Sequence, residues 1–110
     1  MAKSTPLPGR KVRGSETGRP VMAALDLIGR RWLLRIVWEL RGPALTFRAL
    51  QTVCGNLSPT VLNTRLGELR VAQLVESGDG GYALTALGRE MIDALLPLFT
   101  WSERWAKAVQ

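Results

Sequence analysis

Between Ser58 and Gly67 the sequence groups Ser58, Pro59, Thr60, Asn63, Thr64, Arg65 and Gly67. Hydroxyl, amide and guanidinium groups at this spacing are equipped to hydrogen-bond phosphate oxygens and base edges, not to make or break covalent bonds. Ser58 and Thr60 suit phosphate or base contacts, Asn63 suits adenine, and Thr64 suits a thymine methyl. Arg65 suits either a phosphate or an internal salt bridge. Gly67 lets a partner come close to the backbone. Thr46 and Arg48, at the start of the preceding segment, are grouped with this set. The same residues also read as the polar outer face of a packed helix, and the pattern alone leaves both readings open.

Other chemistry is thinly represented. The chain has no histidine, which removes Ser-His-Asp and Cys-His catalysis and the commonest metal ligand together. Its one cysteine, Cys54, forms neither a Cys-rich zinc site nor an internal disulfide, and it reads as a small buried residue. The carboxylates, Glu39, Glu68 and Glu90 among them, are spread singly and read as solvated helix faces. Gly78-Asp79-Gly80-Gly81 lacks the spacing and the following Lys of a phosphate loop. The expectation is a non-enzyme with no cofactor and no metal.

The net charge of +6 points to polyanions, but its distribution matters more. Residues 1–19 hold Lys3, Arg10, Lys11, Arg13 and Arg19 against Glu16, which is most of the excess. Residues 1–18 are therefore read as a flexible basic arm, with Arg10, Lys11 and Arg13 as candidate DNA contacts. The ten basic and eight acidic residues that remain leave only +2 for the folded part. The domain itself is read as residues 19–110. No stretch is apolar enough for a membrane span, and no secretory leader is visible, so a cytoplasmic location is expected.

The elements that must position these groups are legible in outline. Pro20 suits the first position of a helix, and Val21, Met22, Leu25 and Ile28 follow at helical spacing. Gly29 marks a break before a helix expected from Arg30 to Arg41, with Trp32 and Trp38 lying under the first helix. Thr46 caps a helix Phe47–Val53, with Leu45 and Leu50 as a hydrophobic staple. After a Gly55-Asn56 turn, Ser58 caps a second helix, about Pro59–Ala72, with Pro59 first and Leu57 and Leu62 repeating the staple. Two short helices with a tight turn between them make a helix-turn-helix. Leu74–Ser77 and Tyr82–Leu84 read as a strand pair around Gly78–Gly81. Thr85 caps a long last helix, which Pro97 should bend or divide. Its apolar surface exceeds what one small core covers, so a two-fold interface is expected from Val21, Met22 and Leu25 with Leu95, Leu98, Phe99, Trp101 and Trp105.

The order is mainly α, within the α+β class: a winged helix-turn-helix with a two-stranded wing and a long C-terminal dimerisation helix. The residues also resemble the HxlR-type regulators of the broader MarR-like group. The resemblance lies in Leu25-Asp26-Leu27-Ile28-Gly29-Arg30-Arg31-Trp32, in Glu39-Leu40 with Gly42-Pro43 and Phe47, and in the run Leu57 to Leu69. It continues in Leu74-Val75 and in Tyr82 to Gly88. It implies a homodimer that binds double-stranded DNA at a near-palindromic operator and regulates neighbouring genes. Three departures stand out. Arg19 occupies the place of a cysteine that some members use for redox sensing. The wing is short and carries Asp79. Thr60 and Gly67 stand where relatives often have Arg. A small aromatic effector at the dimer interface is a further expected partner. The rival reading is a winged-helix protein–protein module without a specific operator.

Overall fold

The computed structural model describes residues 5–110. It contains α1 (Pro20–Ile28), α2 (Leu33–Glu39), α3 (Phe47–Val53), α4 (Pro59–Val71), β1 (Val75–Gly78), β2 (Gly81–Leu84) and α5 (Ala86–Ala108), a winged helix-turn-helix of mixed α+β class. Among the described residues no helix is long and apolar enough to cross a membrane.

Residues 1–4 of the expected arm, Lys3 included, lie outside the described residues. Residues 9–18 form a closed loop against α1. The Gly9 N–H donates to the Gly18 carbonyl at 2.9 Å, and Val12 and Ser15 exchange backbone hydrogen bonds at 2.9 and 3.0 Å. A Cβ on Gly18, whose φ is +72°, would lie 2.1 Å from the Arg10 carbonyl oxygen, so only glycine fits this crossing. Ser15 Oγ accepts from the Arg19 N–H, and Asp26 Oδ2 accepts from the Arg13 N–H, tying the loop to both ends of α1.

The second helix begins later than periodicity predicts. Trp32 adopts a left-handed backbone (φ 72°), and the turn before it closes through a Leu33 N–H to Arg30 carbonyl bond, so Leu33 is the first helical residue. Trp32 is consequently displaced outward, 36% exposed, instead of lying under α1. Trp38 faces α5, where it meets Phe99 edge-on at 4.8 Å, with the Arg41 guanidinium 3.6 Å above its ring.

Both helices of the motif start at their expected caps. Thr46 Oγ1 accepts from the Ala49 N–H at 3.1 Å, and Ser58 Oγ from the Val61 N–H at 3.5 Å. Gly55 and Asn56, both with positive φ, make the turn between them. The Leu57 N–H donates to the Gln51 carbonyl while Gln51 Nε2 donates to the Leu57 carbonyl, which closes that turn. The core is centred on Leu33, Ile36, Val37 and Leu40 of the α2 segment, Leu50 of α3, and Leu62, Leu66 and Leu69 of α4, all essentially inaccessible.

The wing pairs Val75 with Leu84 through Gly78 with Gly81, leaving Asp79-Gly80 as a two-residue turn. Each strand is one residue displaced or longer than expected. Leu45 adds an isolated antiparallel bridge to β2, exchanging hydrogen bonds of 2.9 and 2.7 Å with Tyr82. Thr85 Oγ1 accepts from the Gly88 N–H and donates to the Gln73 carbonyl. From that cap α5 runs 23 residues without interruption. Of the bend or division expected at Pro97, the division does not occur: the proline removes one N–H, and the helix continues on either side.

Candidate nucleic-acid interface

Leu62, Leu66 and Leu69 anchor one side of α4 in the core, so the helix must present its opposite side outward. Thr60, Asn63, Thr64 and Gly67 fall within an arc of about 100° on that side, at ~100° per residue, and all four are exposed. Ser58 and Pro59, exposed at its N-terminus, complete a polar surface. Thr46 and Arg48 are exposed at the start of α3. The Thr46 hydroxyl is already an acceptor for its own helix.

Gly67 has no internal reason to be glycine. A Cβ built there would meet nothing within 4 Å, although a glycine in a helix interior costs about 1 kcal/mol relative to alanine. Its bare backbone faces outward.

Arg65 departs from the set. Its Nη1 donates to Glu68 Oε1 at 2.6 Å, and its Nε donates to the Arg31 carbonyl at 2.7 Å. Of the two roles its sequence position suited, the internal salt bridge is the one seen. Glu68 itself overturns the reading of every carboxylate as solvated, because it is only 5% exposed and also accepts from Arg30 Nη1 at 2.6 Å. The Arg65–Glu68 spacing of three was a visible helical signal. Arg30, 38 residues from Glu68, gave none.

Arg10, Lys11 and Arg13 are exposed on the closed loop beside α1. Lys11 pairs with Glu16 at 3.5 Å, a solvated contact of little energetic weight. The wing carries Glu76 and Asp79 and no basic residue from 75 to 84. Cys54 is buried behind α3, and burial raises its thiol pKa above the ordinary 9.0, with Arg35 opposing and Glu39 adding to the shift. Among the described residues no His, Cys, Asp and Glu group forms a metal site.

Of the residues expected at an interface between copies, Val21, Leu25, Leu98, Trp101 and Trp105 are exposed, and Met22 and Leu95 are half-buried. Trp101 and Trp105 stack in parallel on α5, 5.8 Å apart. Phe99 spends one ring edge on Trp38 inside the chain.

The geometry has close counterparts. An uncharacterised helix-turn-helix transcriptional regulator of Bacillus subtilis, YvaP, is 28% identical over 89 residues, covering 74% of this chain and 82% of its own. A possible HxlR family transcriptional factor from Thermoplasma volcanium superposes with a TM-score of 0.69 at 26% identity, over 80% of this chain and 85% of that one. Quinone-bound YodB of Bacillus subtilis superposes with a TM-score of 0.67 at 28% identity, over 81% and 97% of the two chains. The HxlR-like helix-turn-helix family model matches residues 27–110, spanning the core, the motif, the wing and the last helix. The chain belongs to the HxlR-like helix-turn-helix family of transcriptional regulators.

Proposed function

We propose that the protein is a sequence-specific DNA-binding regulator that acts as a homodimer on a near-palindromic operator. The observation that carries this reading is the exposed α4 face of Thr60, Asn63, Thr64 and Gly67. The major groove, about 12 Å wide, accepts such a helix. In this arrangement Ser58, Pro59, Thr60, Asn63 and Thr64 meet phosphates and base edges, Gly67 permits close approach, and Thr46 and Arg48 flank the backbone. Arg65 acts from behind by fixing the helix. Arg10, Lys11 and Arg13 add phosphate contacts that the acidic wing does not supply.

The exposed apolar residues of α1 and α5 support pairing of two copies, which would bring two α4 helices to half-sites about one helical turn (34–36 Å) apart. A small aromatic effector fits the same scheme. An apolar cleft of about 550 Å³ lies between the N-terminal segment, α1 and α5, lined by Pro6, Ala23, Leu27, Met91 and Leu95. The structural relative YodB carries a quinone. A gel shift with the gene's own upstream DNA, competed with unrelated duplex, tests the proposal. Specific binding should exceed non-specific binding by about a thousandfold or more. A ratio near one would instead favour a protein-binding winged helix, the reading that Glu76 and Asp79 on the wing support.

A further inference from the structure

The closed loop, α1 and α4 surround an open cleft of about 1350 Å³ whose charged lining, among the described residues, is Lys11, Arg13, Arg30 and Arg65 against Asp26, with Glu16 beside Lys11. These residues come from three separated parts of the chain and meet only in the fold. We propose that this cleft binds a small organic dianion, a dicarboxylate or a phosphate monoester.

Three features support a built site over an accidental basic surface. The two guanidinium groups at its base are held in place: Arg30 and Arg65, only 15% and 19% exposed, both donate to Glu68, and Arg65 also donates to the Arg31 carbonyl. Fixed guanidinium groups lose little freedom on meeting an oxyanion and make charge-assisted bonds of the stronger kind. The rim is held as well, because Gly18 crosses Arg10 in a contact no side chain permits and Asp26 anchors the Arg13 backbone. The Arg13 guanidinium itself makes no ion pair among the described residues. One oxyanion meets Arg30 and Arg65 at the base, and the other meets Arg13 and Lys11 at the rim, where it displaces the solvated Glu16 carboxylate from Lys11. Separated positive groups of this kind favour two negative charges on one ligand over one. The short apolar wall of Val12, Met22 and Leu25 accommodates the carbon chain between them.

Arg65 belongs to both the cleft and the helix proposed to read DNA, and Lys11 and Arg13 are among the proposed phosphate contacts. A bound dianion would therefore lower operator affinity, a consequence that rests on the DNA-binding reading; the binding itself does not.

Calorimetric titration of the full chain without DNA separates the two. Succinate and glycerol phosphate serve as probes, with acetate, neutral succinamide and inorganic phosphate as comparisons. The expected result is saturable binding of one or both dianions, with the preferred one naming the source. Arg13→Ala should weaken it about tenfold, the worth of one charge-assisted bond, while Arg104→Ala on the remote end of α5 should leave it unchanged. The proposal is overturned if neither dianion binds, if acetate or succinamide binds as tightly, if inorganic phosphate matches the organic probes, or if Arg104→Ala weakens binding equally.

Discussion

Glu68 Oε2 accepts a 2.6 Å hydrogen bond from Arg30 Nη1, while Oε1 of the same carboxylate accepts from Arg65 Nη1, also at 2.6 Å. One buried carboxylate thus joins the α1–α2 connection to the middle of α4. Removing one partner of a buried ion pair leaves the others desolvated without compensation, which costs about 3–5 kcal/mol. Glu68→Ala should lower unfolding free energy by that amount in urea titration. A loss below about 1 kcal/mol would show that the network carries little weight.

Gly67 links stability and binding with opposite signs. Gly67→Ala meets no neighbour, so it should stabilise the free protein by about 0.5–1 kcal/mol through helix propensity. If the backbone at Gly67 approaches DNA, the same substitution should weaken operator binding. Thermal unfolding and a gel shift on one preparation measure both.

The cap of α5 is better made than that of α4. Thr85 Oγ1 is 3.0 Å from the Gly88 nitrogen and 2.7 Å from the Gln73 carbonyl oxygen, whereas Ser58 Oγ is 3.5 Å from the Val61 nitrogen. Thr85→Ala should cost about 1–2 kcal/mol and Ser58→Ala about 0.5 kcal/mol, at the two ends of the capping range. Chemical denaturation of the pair gives the order, and the reverse order would contradict the geometry.

Cys54 should be a slow thiol. Desolvation by burial raises its pKa, and Arg35 only partly opposes this. The folded protein should react with a thiol reagent at pH 8 far more slowly than the urea-unfolded chain. The raised value also sets a sign. The unfolded chain releases the thiol proton first, so this contribution to stability is intact below pH 9.0 and declines as pH rises through the folded pKa. Cys54→Ala should remove that part of the alkaline decline in unfolding free energy.

Trp101 and Trp105 present a stacked aromatic surface, 48% and 54% exposed, that the single chain does not cover. Trp101→Lys should shift sedimentation from dimer to monomer while leaving far-UV circular dichroism unchanged. A wild-type chain that sediments as a monomer at micromolar concentration would overturn the two-fold reading.

The helix-turn-helix was legible in the sequence because its signals are local. Thr46, Ser58, Pro59 and the Leu45/Leu50 and Leu57/Leu62 pairs act within one turn of helix, and the observed bounds of α3 and α4 follow them closely. The exposed face of α4 was legible for the same reason, since helical periodicity alone separates Thr60 and Thr64 from Leu62 and Leu66. The start of α2 was not. Gly29 announced a break, but the left-handed Trp32 that delays the helix to Leu33 is a backbone state that residue type does not betray.

Tertiary structure alone decided what the charged groups around that face do. Ser58, Thr60, Asn63, Thr64 and Gly67 point outward because the leucines of α4 point inward, and this the sequence determined. Whether Arg65 also points outward depends on a carboxylate one turn away and on Arg30 and the Arg31 carbonyl, brought from 34 to 38 residues away. Lys11 and Arg13 line a cleft with Arg30 and Arg65 on a loop that closes where Gly18 crosses Arg10. Desolvation and long-range pairing depend on what folds on top of a residue. Periodicity reports only which side of its own helix that residue occupies.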